Sequence, residues 1–201
     1  MTLPPVTIPP VRRQPEVLDF LLSRRSRPAR SLTLPVPSRA ELLQILTAAA
    51  RVPDHGKLEP WRFVVLERPA LVRLAALAEE RGRALGLDDE RRAKGVAQFA
   101  DSNLAIAVVK CARSTEKIAE IEQLLSTGAV CISLLNAAQA AGWGGNWLTG
   151  WAVEDAEFRR DGLGLQPGEW VAGLIHLGTE GTVPPERPRP DMDRIVTWLD
   201  R

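Results

Sequence analysis

Three short clusters in this sequence combine cations, hydroxyl groups and glycines in a way that suits an anionic ligand. The first is Arg24-Arg25-Ser26, where two guanidinium groups stand beside a hydroxyl. Such donors bind phosphate well, although a solvated helix end is the more ordinary explanation of this cluster taken alone. The second contains Arg51 and His55, just beyond a predicted helix, and the third has glycines at positions 142, 144 and 145. Glycines there allow a tight turn or a close approach of the backbone to a ligand.

The sequence lacks the motifs of several common kinds of active site. No G-x-S-x-G, GK(S/T) or HExxH motif occurs, and His55 and His176 are the only histidines. The glycine cluster is no dinucleotide fingerprint, because position 147 is a tryptophan and a predicted helix precedes the cluster. Cys111 and Cys131 have no CxxC neighbour, so we expect two buried thiols and no metal site.

Composition indicates one globular domain without a strong field around it. The chain has 201 residues, 45% hydrophobic and 25% charged, with a formal net charge of +1. That charge gives no support for a nucleic-acid partner. Residues 123–153 are uncharged, but polar residues and glycines interrupt them, so we expect a buried helix and not a membrane span. The N-terminus does not resemble a secretory signal, and a cytoplasmic location is expected.

The elements that must position these clusters follow from periodicity and capping. Helices are predicted over 16–26, from a capping box at Ser38 to Pro53, from Pro69 to Leu85, over 89–100 and over 120–141. Apolar runs over 62–67, 104–109 and 171–177 predict strands. Interspersed strands and helices indicate a sheet covered by helices. We expect a Pro-rich arm over 1–14, a single domain over 15–201, and an extended C-terminal arm within it from about residue 180.

Three motifs in order resemble the FMN-dependent nitroreductase family, and in particular its short bacterial NAD(P)H nitroreductases. They are the arginine motif in 22–27, the Pro-Asp-His and Pro-Trp-Arg pair in 51–65, and the glycine and tryptophan segment 142–150. The resemblance implies an α+β, three-layer nitroreductase-like fold with a central, mostly antiparallel sheet flanked by helices. It also implies an intertwined homodimer with two FMN sites at the interface.

The resemblance also assigns roles to individual residues. Arg24, Arg25 and Ser26 would hold the FMN phosphate and ribityl chain, while Arg51 and His55 would reach the flavin of the neighbouring subunit. The ring would lie along Trp147, Leu148 and Thr149. The nicotinamide nucleotide would approach the end of the long helix, at Ala137, Ala138, Gln139, Ala140, Ala141 and Gly142. Lys94 is either a flavin or nicotinamide contact or an ordinary surface lysine.

The activity implied is ping-pong transfer of a hydride from NAD(P)H through FMN to a nitroaromatic, quinone or similar small-molecule acceptor, without a covalent nucleophile. A non-catalytic flavin-binding or flavin-storage protein is the alternative, followed by a flavin-free scaffold. Two residues depart from the family pattern: Leu148 stands where relatives often have a cation, and Glu59 replaces the usual glutamine. Because of these departures, the sequence does not determine the reduction potential of the flavin or the identity of the acceptor. It does not determine the choice between NADH and NADPH either.

Overall fold

The computed structural model describes residues 8, 10–111, 113–115 and 117–200. Most of the predicted N-terminal arm, residues 1–7 and 9, lies outside them. The helices are α1 (Pro15–Ser23), α2 (Arg39–Ala49), α3 (Arg68–Ala84), α4 (Asp89–Ala100), α5 (Glu120–Ala140), α6 (Trp151–Glu154) and α7 (Met192–Ile195). The strands are β1 (Leu32–Thr33), β2 (Trp61–Glu67), β3 (Leu104–Lys110), β4 (Gly144–Leu148) and β5 (Trp170–Glu180).

One sheet holds all five of these strands in the order β1-β5-β3-β2, and β4 pairs with β5 as well. Each pairing is antiparallel, with Trp61 opposite Lys110, Ala105 opposite His176, and Gly144 opposite Gly178. The prediction of a mostly antiparallel sheet is therefore confirmed. Strand β4, which carries the glycine cluster, lies directly beside β5.

Helices cover both faces of this sheet. Alternate residues of β3 point to opposite sides: Ile106 packs in the cluster that contains α2 and α5, and Ala107 packs in the cluster that contains α3 and α4. A strand buried on both faces is apolar throughout, which explains the run that predicted it. The three-layer α+β architecture is confirmed.

The long helix α5 is a core helix on one face of the sheet. By length and composition it is the one described helix that could cross a membrane. It packs instead against α2, β3, β4 and β5. Its outer face leaves Ile121, Leu125 and Ile132 exposed.

Helix α1 ends at Ser23, three residues before the predicted end at residue 26. Arg24 has an extended backbone, with φ −56° and ψ 141°, so the arginine cluster follows the helix instead of finishing it. Helix α1 buries none of its residues, and its apolar stripe, which includes Val17 and Leu21, is exposed in the single chain. By contrast, the predicted capping box of α2 is formed by Ser38 and Glu41.

After β5 the chain continues as an exposed C-terminal arm. Its only helix within the described residues is the single turn α7. The side chains of Ile195, Trp198 and Leu199 are 63%, 90% and 88% exposed. Within the single chain, these three apolar side chains are left largely uncovered.

Candidate functional site

The segment that follows α1 is fixed between the end of α5 and the start of β4. The amide of Gln139 donates to the carbonyl of Arg25 (2.8 Å), and Arg27 N–H donates to Gly145 O (2.9 Å). The side-chain amide of Asn146 then donates to the carbonyl of Arg27 (2.7 Å). These three bonds place the backbone of the arginine motif, so that its side chains gather at one point on the surface.

Arg24 is the least neutralised member of the resulting arginine group. Its Nε donates to Gln139 Oε1 (3.3 Å) and its Nη2 to Ser26 Oγ (3.3 Å), and no carboxylate among the described residues forms an ion pair with it. Partial burial, then the positive charges of Arg189, Arg25 and Arg27, lower the pKa of Arg24. An anion bound here would relieve that repulsion.

Arg25 and Arg27 are held by groups on the C-terminal side of β5. Arg27 Nε lies 2.7 Å from Glu180 Oε2, and Arg25 Nη2 donates to Pro185 O (3.1 Å). Arg25 Nε is buried without a hydrogen-bond partner among the described residues. The beginning of the C-terminal arm therefore helps to build the arginine group.

A cavity of about 300 Å³ opens between these groups, and we call it the arginine cavity. It is lined by Phe20, Ser23, Arg24, Arg25, Arg27, Gln139, Gly142, Trp143, Gly144 and Glu180. A methyl group on Gly144 would lie 2.7 Å from the side chain of Leu32, so glycine is required there for packing. The cavity offers several guanidinium donors at one place, which is the donor set that a phosphate needs.

A second cavity of about 530 Å³, the α4 cavity, lies beyond the arginine motif. It is lined by Pro28, Ala29, Arg30, Lys94, Ala97, Gln98, Asp101, Ser102, Asn146, Leu148 and His176. The two cavities lie on either side of the arginine motif: Asn146 lines the second, and its amide donates to the carbonyl of Arg27, whose side chain lines the first.

The three predicted ring contacts in 147–149 have different surroundings. Leu148 lines the α4 cavity. Trp147 covers Gly173, where a methyl group would lie 2.3 Å from the indole nitrogen, and its Nε1 donates to Ala172 O (3.3 Å). Thr149 presents its carbonyl to the amide of Gln98 (2.9 Å). Trp147 is accordingly a packing residue in the single chain, with about a third of its surface exposed.

The residues of the predicted nicotinamide segment, at the end of α5, also differ in their surroundings. Gln139 and Gly142 line the arginine cavity, whereas Ala137 and Ala140 line an apolar groove of about 430 Å³ between α1 and α5. Ala138 is completely buried in the core and lines none of the three openings. Ala141 is exposed at the helix end.

Arg51 and His55 lie at the opposite end of α5. His55 Nδ1 is 2.7 Å from the carboxylate of Glu122 in the first turn of that helix. The carboxylate of Asp54 accepts from the backbone N–H groups of Leu58 (3.2 Å) and Glu59 (2.8 Å), which holds the loop. Glu122 and Gln139 are 17 residues apart in one α-helix, which corresponds to about 25 Å. Within one chain, the two predicted halves of the site are therefore far apart.

The buried polar atoms without partners point to the same region. Five such atoms occur in the described side chains: Arg25 Nε, Gln98 Oε1, Asn136 Oδ1, His176 Nε2 and Glu180 Oε1. Every one belongs to a residue that lines the arginine cavity, the α4 cavity or the apolar groove. Since buried polar groups are normally satisfied, a ligand, a partner chain or water would complete the hydrogen bonding of these openings.

Several residues of this region could not be assigned from the sequence. Arg27 belongs to the arginine motif but has no role assigned by it. Arg189, whose charge acts on Arg24, lies in the Pro-rich tail, far from Arg24 in sequence. His176 had one usable signal, since it is a polar residue in an apolar strand run. Gln98 lies on a charged helix and offered none.

Metal chemistry receives no support from the described residues, which contain no group of three potential metal ligands. Both cysteines are buried and free, as predicted. Burial raises the pKa of Cys131 to about 12, and burial followed by the Glu169 carboxylate raises that of Cys111. Both thiols are therefore protonated and unreactive at neutral pH.

Known proteins of similar sequence include two bacterial relatives. An Escherichia coli K12 protein named "Putative NAD(P)H nitroreductase YdjA" is 33% identical over 164 residues, which cover 82% of this chain and 88% of that protein. A Haemophilus influenzae protein named "Putative NAD(P)H nitroreductase" is 32% identical over 166 residues, with the same coverage of 82% and 88%.

Solved structures share the fold at lower identity. A nitroreductase-like family protein from Bacillus cereus superposes with a TM-score of 0.76 at 21% identity, covering 94% of this chain and 99% of its own. A Desulfovibrio desulfuricans protein described as "a putative nitroreductase in complex with fmn" gives a TM-score of 0.71 at 21% identity, covering 94% of this chain and 98% of its own. The sequence profile of the nitroreductase family matches residues 21–179, most of the chain. The chain therefore belongs to the nitroreductase family.

Proposed function

We propose that this protein is an FMN-dependent oxidoreductase that transfers electrons from NAD(P)H to a small oxidised acceptor such as a nitroaromatic or a quinone. The observation that carries the proposal is the pair of cavities beside the arginine motif, one lined by guanidinium groups and one by a mixture of apolar and polar groups. The FMN in the Desulfovibrio structure and the names of the two bacterial relatives support it.

The residues present fit FMN. An anion would offset the positive charges around Arg24, and Arg25 Nε makes no hydrogen bond among the described residues, its ion pair with Glu186 being 3.7 Å long, so the phosphate would be held in the arginine cavity. The α4 cavity, with its apolar walls and unused polar atoms, would then hold the ring, with Leu148 on one wall. Bound FMN would supply the redox chemistry by accepting a hydride and passing the electrons on.

The protein's own part is to bind, to orient and to exclude water. Gln139 orders the phosphate site, since its side chain contacts both Arg24 and the backbone of Arg25. The exposed end of α5 near Gln139 and Gly142 is where the nicotinamide nucleotide would approach. Lys94, 73% exposed and paired with Glu90, stands at the rim of the ring cavity.

We further propose a homodimer in which each copy completes the site of the other. The exposed apolar faces of α1 and α5 support it, as does the C-terminal arm with Trp198. Because His55 is paired with Glu122, about 25 Å along α5 from Gln139, we propose that His55 and the nearby Arg51 serve the partner's cofactor. The NAD(P)H requirement is consistent with the proposed cytoplasmic location.

The test combines cofactor titration with turnover. Purified wild-type protein should bind FMN and, without oxygen, the bound FMN should be reduced once by NADH or NADPH, with continued turnover only when a quinone or nitroaromatic is added. Replacing both Arg24 and Arg25 by alanine should weaken FMN binding by several kcal/mol in total, at roughly 1.5 to 3 kcal/mol for each charge-assisted bond.

The matched control is Arg83→Ala, which removes an exposed guanidinium paired only with Glu79. It should leave FMN affinity unchanged. Equal affinity in the double variant and the wild type would remove the arginine cavity from the site. FMN binding without any NAD(P)H oxidation would favour flavin storage over catalysis.

A further inference from the structure

His176 is the most deeply buried residue that lines the α4 cavity. It lies in β5 between Ile175 and Leu177, and its side chain is 1% exposed. A polar side chain at that depth would be expected to use both ring nitrogens. Only Nδ1 has a partner, Ser102 Oγ at 3.0 Å, and Nε2 has none among the described residues.

The Ser102 hydroxyl is within hydrogen-bond distance of both His176 Nδ1 (3.0 Å) and the carbonyl of Leu104 (3.2 Å). In the tautomer in which this hydroxyl donates to Leu104 O, its oxygen accepts from Nδ1–H of His176, and Nε2 keeps a free lone pair. Burial lowers the pKa of His176 to about 4, so the ring stays neutral at physiological pH.

Gln98 adds a second unused acceptor to the same cavity. Its amide Nε2 donates to Thr149 O (2.9 Å), which leaves Oε1 buried and without a partner. Lys94 lies four residues earlier on α4, on the same helix face, and its ammonium group is a donor at the rim. Its bond to Glu90 (2.6 Å) is between exposed groups and is easily exchanged.

The free acceptor of His176 and the ammonium donor of Lys94 fit one edge of a flavin. The imide edge of the flavin pyrimidine ring presents an N–H donor between two carbonyl acceptors. A neutral imidazole with a free lone pair accepts from such an N–H, and a nearby ammonium donates to an adjacent carbonyl.

We propose that His176 is a cofactor-selecting residue whose Nε2 accepts the hydrogen bond of the flavin imide N3–H in the α4 cavity. The proposal rests on the proposed function, since it requires that FMN is the ligand. Lys94 donates to the neighbouring carbonyl. Flavins whose N3 carries no hydrogen are rejected, because Nε2 is then left buried and unsatisfied.

The test compares FMN with N3-methyl-FMN, which differs only at the proposed contact. Wild-type protein should bind FMN more tightly by roughly ten- to a hundredfold, the range expected when a buried acceptor loses its donor. In His176→Leu the two flavins should bind within about threefold of each other. His176→Gln, which places a carbonyl oxygen near the position of Nε2, should retain much of the preference.

The matched control is Thr127→Val, because Thr127 is a buried residue of α5 that lines none of the three cavities and whose hydroxyl donates to Gln123 O (2.8 Å). It should keep the wild-type ratio of the two affinities. If His176→Leu does not fold, the wild-type ratio and the His176→Gln ratio still decide the question.

A spectroscopic readout is available because the chain has two histidines. In ¹⁵N-labelled protein the Nε2 resonance of buried His176 should move when FMN is added and stay in place with N3-methyl-FMN. Wild-type protein that binds both flavins equally overturns the assignment of His176 alone. Wild-type protein that binds no FMN overturns the proposed function, and this inference with it.

Discussion

The ion pair between Arg62 and Glu169 should make stability depend on pH in a way that one substitution removes. Arg62 belongs to the Pro-Trp-Arg motif, but its guanidinium does not reach either cavity. Its Nε and Nη2 donate to the Glu169 carboxylate at 2.8 and 2.7 Å, and Gln166 N–H donates to the same group at 2.9 Å. Arg62 thus ties β2 to the chain just before β5.

The contribution of this ion pair to the free energy of unfolding follows from the pKa of Glu169. The hydrogen bonds of Arg62, aided by the Gln166 N–H, lower the pKa of Glu169 from 4.5 to about 2 against the opposing effect of burial. That difference corresponds to about 3 kcal/mol at neutral pH. Because the Arg62 side chain is 38% exposed, solvent screening reduces the expected contribution to about 2 kcal/mol.

A lowered carboxylate pKa gives stability that is present above the unfolded value of 4.5 and is lost as the pH falls toward 2. Glu169→Gln should therefore be about 2 kcal/mol less stable than wild type at pH 7. The difference should shrink to about 1 kcal/mol at pH 3.5. Urea unfolding at a series of pH values measures both quantities.

The control is Glu67→Gln, which breaks an ion pair with Arg39 whose side chains are 50% and 87% exposed. It should change stability little at any pH, because exposed pairs are weak. The reasoning would be refuted by a Glu169→Gln deficit that stays constant between pH 7 and 3.5.

Two further substitutions test the packing around the site. Gly95→Ala should lower the free energy of unfolding by about 1 to 2 kcal/mol, because the added methyl group would lie 2.2 Å from Trp151 Nε1. Urea unfolding measures this loss, and an unchanged midpoint would show that the indole can move aside. Asp54→Ala should cost about 1 to 2 kcal/mol by removing the acceptor for the Leu58 and Glu59 N–H groups. Hydrogen exchange should then speed up at those two amides, and protection equal to wild type would contradict the role of Asp54.

Sequence patterns predicted the layers of this fold well and some of its boundaries poorly. The apolar run that became β3 was readable because a strand buried on both faces has no polar positions. Ser38 and Glu41 marked the start of α2 because capping depends on neighbouring residues. The end of α1 was wrong by three residues, since Arg24 leaves the helix to meet Gln139, a contact that local sequence does not encode.

The residues of the candidate site could also be predicted only in part. The arginine motif predicted a role for Arg24, but nothing in the sequence placed the charge of Arg189 near it, because the two residues lie toward opposite ends of the chain. His176 and Gln98 converge on one cavity only after β5 and α4 pack on each other. Long-range packing decides such neighbours, and a single sequence carries little information about it.

The length of α5 has a consequence for how function would depend on assembly. In the proposed dimer, each copy would bind the FMN phosphate in its own site and contribute its His55 loop, at the other end of α5, to the site of its partner. A monomer would then contain two partial sites and no complete one. Dilution that dissociates the dimer would therefore abolish activity even though every chain remained folded.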